Sequence, residues 1–97
     1  MINSYGDEAT RDVHYDDDTK RARTIPKDIW PVARRKLNAI DAARSLIDLR
    51  SPPNNRLEKL KGDLGGYWSI RINDQWRITF KFSDNGSADE VTIRDYH

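Results

Sequence analysis

Residues 56–82 read RLEKLKGDLGGYWSIRINDQWRITFKF, and the period of two within them decides the fold. Trp68, Ile70 and Ile72 alternate with Tyr67, Ser69 and Arg71. After Asn73-Asp74, Trp76, Ile78, Phe80 and Phe82 alternate with Arg77, Thr79 and Lys81. Aromatic and β-branched residues at every second position are what a half-buried antiparallel pair requires. Asn73 and Asp74 tolerate the positive φ of a tight turn, so a β-hairpin is expected here, preceded by a short strand and a glycine turn. The second face of the hairpin carries Arg71, Arg77 and Lys81 beside Tyr67, Ser69 and Thr79. Such a stripe is either a solvated sheet face or a platform for phosphates, where arginine forks and hydroxyls bind oxygen. Spacing alone leaves both open.

Working outward, Ile29, Ala33, Leu37, Ile40 and Ala43 recur at spacings of three and four and predict an amphipathic helix. Asp28 is its expected N-cap and Pro31 falls in its first turn. Residues 45–49 suit a further short helical turn with Ser45 as cap, and Pro52-Pro53-Asn54-Asn55 ends helical structure. Near the start, Asp7 is placed to cap a short helix over residues 7–15. Residues 1–5 suit an edge strand that Gly6 breaks. Residues 15–25, with opposed charge blocks, read as a mobile loop, and Asp16-Asp17-Asp18 reads as a solvated run rather than a calcium loop. His14 reads as a helix-end histidine. After a turn at Asn85-Gly86, residues 90–96 form a last strand with Val91 and Ile93 inward; its polar side joins the Arg77 face. Helices first and strands afterwards predict an α+β fold, with N-terminal helices packed on a mainly antiparallel sheet.

Ninety-seven residues make a single domain spanning 1–97. A chain this short buries roughly two thirds of its unfolded surface. With 34% of residues charged, the core is thin, and three tryptophans and two phenylalanines carry much of it. The lack of cysteine removes disulfides and thiolate metal sites and fits a reducing cytoplasm. No apolar run suits a signal region or a membrane span, so neither is expected. Net charge is +1, so any nucleic-acid binding must come from local patches.

The words LKGD at Leu60–Asp63, GYWSIRINDQWRITF at Gly66–Phe80 and the terminal Asp95-Tyr96-His97 resemble the HigB family of bacterial toxins, within the RelE/ParE superfamily. A fainter match, KLNAIDAA followed by LRSPPNNRL, extends the resemblance back to about Lys36. It implies a small RelE-like α+β toxin of a type II toxin-antitoxin system that cleaves mRNA on the ribosome without metal or other cofactor. It also implies a cytoplasmic location and a helix-turn-helix antitoxin of the HigA kind, with operator DNA reached only through that complex.

The resemblance puts Lys61, Arg77, Asp95, Tyr96 and His97 at active-site positions. Arg77 suits phosphate clamping. Lys61 suits charge neutralisation or service as a base beside neighbouring cations, His97 proton transfer, and Tyr96 base stacking or phosphate orientation. Where some members carry histidine three residues before the LKGD lysine, this chain has Glu58, a candidate general base that also repels phosphate. Arg71, Lys81 and Tyr67 are the expected RNA contacts. Two alternatives stand beside the nuclease: a non-enzymatic ParE-like toxin acting on DNA gyrase, and a ribosome- or RNA-binding module that has lost cleavage.

Overall fold

The hairpin forms where the alternation puts it. In the computed structural model, which describes residues 1–96, the chain runs α1 (Glu8–His14), α2 (Trp30–Ala42), β1 (Glu58–Lys59), β2 (Trp68–Arg71), β3 (Trp76–Phe82) and β4 (Ala88–Asp95). The strands lie in the order β1-β2-β3-β4, each antiparallel to its neighbour. Ile70 stands opposite Ile78, and Ile78 opposite Ile93, so one sheet face is apolar across three strands. That face meets Val13 of α1 and Ala33, Leu37 and Ile40 of α2, all fully buried. The α+β architecture expected from the element order is the one observed.

Several local expectations are corrected. Residues 1–5 make two isolated parallel bridges to β4, Ile2 with Ala88 and Tyr5 with Val91, rather than a full strand. Gly6 has a packing role: a Cβ there would meet Thr92 Oγ1 at 1.9 Å. The hairpin turn uses no positive φ at Asn73 or Asp74. Instead the Asn73 carboxamide oxygen accepts from the Gln75 and Trp76 amides at 2.9 and 2.8 Å, an Asx turn. Asp7 does cap α1, accepting from Thr10 N at 2.8 Å. Asp28 does not cap α2, because residues 27–29 form a 3-10 turn that leads into the helix.

The segment expected to be mobile is pinned by ion pairs. Arg21 bridges Glu8 and the buried Asp12 at 2.5 and 2.6 Å. Asp18 of the acidic triplet holds Arg23 and Lys27. His14 is a structural helix-end residue, bonded to Tyr5 Oη at 2.6 Å and Asn38 Oδ1 at 2.8 Å. Among the tryptophans, Trp30 is the buried one, its indole N–H donating to Ile25 O at 2.8 Å. Trp68 and Trp76 are only partly buried against the core.

Candidate active site

The polar face of the hairpin is enclosed at its centre, while Lys81 at one end is exposed. Ser69 and Thr79 are fully buried, and Arg77, expected to face solvent, is only 8% exposed. The cause is the length of the arginine and what it reaches. Its Nη2 donates to Arg56 O at 2.8 Å, and Nη1 lies 3.3 Å from Glu58 Oε1. Because β2 lies between β3 and β1, and Glu58 pairs with Ser69, the side chain must cross β2 beside Ser69. The Tyr96 ring then covers the guanidinium at 5.2 Å. A cation under an aromatic face and beside a carboxylate is held firmly in one orientation.

Two buried polar atoms on this face have no partner among the described residues: Arg77 Nε and Ser69 Oγ. An unsatisfied donor on a buried guanidinium is costly in a purely structural role. Nε is itself enclosed, so the part of the fork that an anion can reach is Nη1, which faces the half-exposed Glu58.

The positions singled out from the sequence fall into three groups. Glu58, Arg77 and Tyr96 come together. Asp95 stands opposite Trp76 in the register, on the apolar side of β3, and accepts from Gln75 Nε2 at 3.0 Å. Lys61 is exposed, one residue beyond Leu60, whose amide donates to Tyr67 O at 2.9 Å. It makes no hydrogen bond or ion pair with the described residues. His97 lies outside the described residues.

The expected RNA contacts are partly engaged already. Arg71 pairs with Asp74 across the turn. Lys81 Nζ and Tyr67 Oη both bind the Glu90 carboxylate, each at 2.9 Å, and Lys81 lies 5.1 Å over the Tyr67 ring. The hydrogen bonds to Lys81 and Tyr67 hold Glu90 below the ordinary carboxylate range. The hydrogen bond to Glu90 in turn raises both the lysine and the phenol.

One residue of the last strand's polar side, expected on this face but not singled out for the site, belongs to it. Arg94 stands opposite Arg77, as Arg71 does on the other side, so three arginines form one row across β2, β3 and β4. Arg94 Nε donates to Thr79 Oγ1 at 2.8 Å. The signal was present in the chain: once residues 76–82 pair with the last strand, the alternation carries Arg94 to this face.

Comparison with known proteins agrees with this architecture. The family model described as the RelE-like toxin of type II toxin-antitoxin system HigB matches residues 3–97. Toxin HigB-1 of Vibrio cholerae is 50% identical over 70 residues, covering 72% of this chain and 73% of that protein. Endoribonuclease HigB of Proteus vulgaris is 45% identical over 62 residues, covering 64% of this chain and 65% of its own length. A chain of the heterotetrameric YoeB-YefM toxin-antitoxin complex from Staphylococcus aureus has the same fold. It aligns over 100% of this chain and 95% of its own at a TM-score of 0.59 and 24% identity. With the family model spanning nearly all of it, this chain belongs to the HigB family of RelE-like toxins of type II toxin-antitoxin systems.

Proposed function

We propose that this protein is an endoribonuclease that cuts mRNA on the ribosome, in the cytoplasm, and is held inactive by a helix-turn-helix antitoxin. The observation that carries the reading is the buried Arg77 fork, fixed by Arg56 O, Glu58 and Tyr96, with its Nε unpaired among the described residues. The name of the Proteus vulgaris relative and the antitoxin in the Staphylococcus aureus complexes support the activity and the partner.

In the proposed reaction the 2′-hydroxyl oxygen attacks the adjacent phosphorus and loses its proton. The bond from phosphorus to the 5′-oxygen breaks, and that oxygen gains a proton. The products are a 2′,3′-cyclic phosphate and a 5′-hydroxyl. Charge gathers on the non-bridging oxygens, and Arg77 is placed to receive it with a planar donor set that stays charged. The arriving phosphate takes the place of Glu58. Tyr96 packs the guanidinium from one side and offers its exposed edge to a base. Lys61 neutralises charge from its exposed loop, and His97, next in the chain to Tyr96, supplies the proton to the leaving oxygen. Asp95 anchors the end of β4 through Gln75. So few acid–base groups make placement of the RNA the larger part of the task, which is why a ribosome that presents mRNA in line is needed.

The test is addition of purified protein to a translating extract, with mRNA ends mapped by primer extension and gyrase supercoiling assayed in parallel. New ends inside codons are expected. Inhibited supercoiling with intact mRNA would instead favour a ParE-like toxin. Slowed translation with intact mRNA would mean that Glu58 has neutralised Arg77 and left only binding.

A further inference from the structure

The row Arg71–Arg77–Arg94 faces few carboxylates. Glu58 meets Arg77 and the exposed Asp74 meets Arg71. Like charges directly opposite on adjacent strands are destabilising, so three in one row call for an anion. A second group of cations lies within electrostatic reach of Arg71. Lys36 of α2 is 6% exposed, and its Nζ donates to Asn55 Oδ1, a neutral acceptor. Asn55 is itself buried and fixed, its Nδ2 donating to Leu49 O and Ser51 O at 3.1 and 3.3 Å. An ammonium has three donors, and this one has a single acceptor among the described residues. Burial lowers the Lys36 pKa, and the nearby charges of Arg35 and Arg71 lower it further. A recess of about 140 Å³ opens at this point, lined by Arg35, Lys36, Ala39, Pro52 and Asn55. Asn55 is bonded in sequence to Arg56, the residue whose carbonyl holds Arg77.

We propose that this recess is a second phosphate subsite, taking a backbone phosphate of the same RNA strand whose scissile phosphate is held at Arg77. The inference rests on the nuclease reading above, which it extends by giving the strand a direction: from Arg77 past Arg71 and around to Arg35 and Lys36. Arg35 meets the phosphate from solvent and Lys36 from below. Asn55 serves as a positioning residue, aiming the ammonium.

The test is an NMR titration with 2′-O-methyl RNA, which has no free 2′-hydroxyl and is not cut by this chemistry. A tetranucleotide should shift the Arg77 side-chain signals, the Asn55 carboxamide and the amides of residues 35–39 together. A dinucleotide, with one internucleotide phosphate, should move only the Arg77 signals. Lys36→Met should weaken tetranucleotide binding about tenfold at low salt. It should also lower the slope of log affinity against log salt by about 0.7, the share of one single-strand phosphate. If Lys36→Met does not fold, Arg35→Ala, at an exposed position, should show the same change in slope.

Arg77 signals that move while Asn55 stays still would overturn the second subsite and leave the nuclease reading intact. Joint movement, with unmodified mRNA left intact on translating ribosomes, would overturn the nuclease reading instead. Inorganic phosphate binding the recess as tightly as the tetranucleotide would mark an isolated phosphate site and overturn the strand path. Stillness at both places would overturn the second subsite, and cleavage on translating ribosomes would then decide the nuclease reading.

Discussion

Arg77 Nη1 lies 3.3 Å from Glu58 Oε1, so the arginine at the centre of the polar face already holds an anion. Glu58 is about half exposed while Arg77 is nearly enclosed. The carboxylate is thus the member of the pair that can leave. Replacing it tests what it does there. Glu58→Gln keeps a hydrogen-bond acceptor beside Arg77 but removes the competing charge. Binding of an uncleavable RNA should tighten several-fold, and cleavage should persist. A fall in the cleavage rate of about 10² or more would identify Glu58 as the general base instead.

The burial of Arg77 changes what its removal does to stability. Arg77→Ala leaves the Arg56 carbonyl without its donor and opens space beside Ser69. Chemical denaturation should show a loss of about 1–3 kcal/mol, the typical cost of an unsatisfied buried group. A loss under about 0.5 kcal/mol, the usual range for a surface position, would show that the arginine is not enclosed in solution.

Core tryptophans should separate clearly. Trp30→Ala removes a buried ring with a satisfied indole, and urea unfolding should register a cost of about 3–5 kcal/mol. Trp68→Ala and Trp76→Ala, at half-buried positions, should cost less. Equal losses at all three would contradict the packing described here.

Asp12 gives stability a sign with pH. Hydrogen bonds from Arg21 and Thr19 hold its carboxyl below the ordinary carboxylate range. The group is therefore charged and stabilising above the unfolded value of about 3.9, and its contribution is lost as pH falls through the lower folded value. Asp12→Asn should flatten the acid limb of the stability profile. An acid limb identical to wild type would assign that limb to other carboxylates, with Asp18 and Glu90, both also depressed, as the next to test.

How much of this was legible in the chain follows from which forces are local. The period of two from Trp68 to Phe82 marked both hairpin strands, because alternation and side-chain chemistry act within a few residues. The Ile29–Ala43 stripe marked α2 for the same reason. The burial of the polar face was not legible. It depends on Arg77 reaching across β2 to Arg56 and Glu58, a contact between residues some twenty positions apart that alternation cannot report. The same holds for Lys36. It sits among charged neighbours in sequence, and only the fold sets its ammonium against Asn55. The loop over residues 15–25 looked mobile because its charges have no apolar period; its order comes from pairing those charges with Asp12 and Lys27.

The most direct test is the rate of mRNA cleavage on translating ribosomes by Arg77→Lys, paired with its melting temperature. Lysine keeps the charge and much of the packing but cannot present a planar fork. The expected result is a folded protein melting within a few degrees of wild type and cutting at least tenfold more slowly. Arg77→Ala should be slower still, by about 10²–10³. A folded Arg77→Lys protein that cuts mRNA at the wild-type rate would place the active site elsewhere.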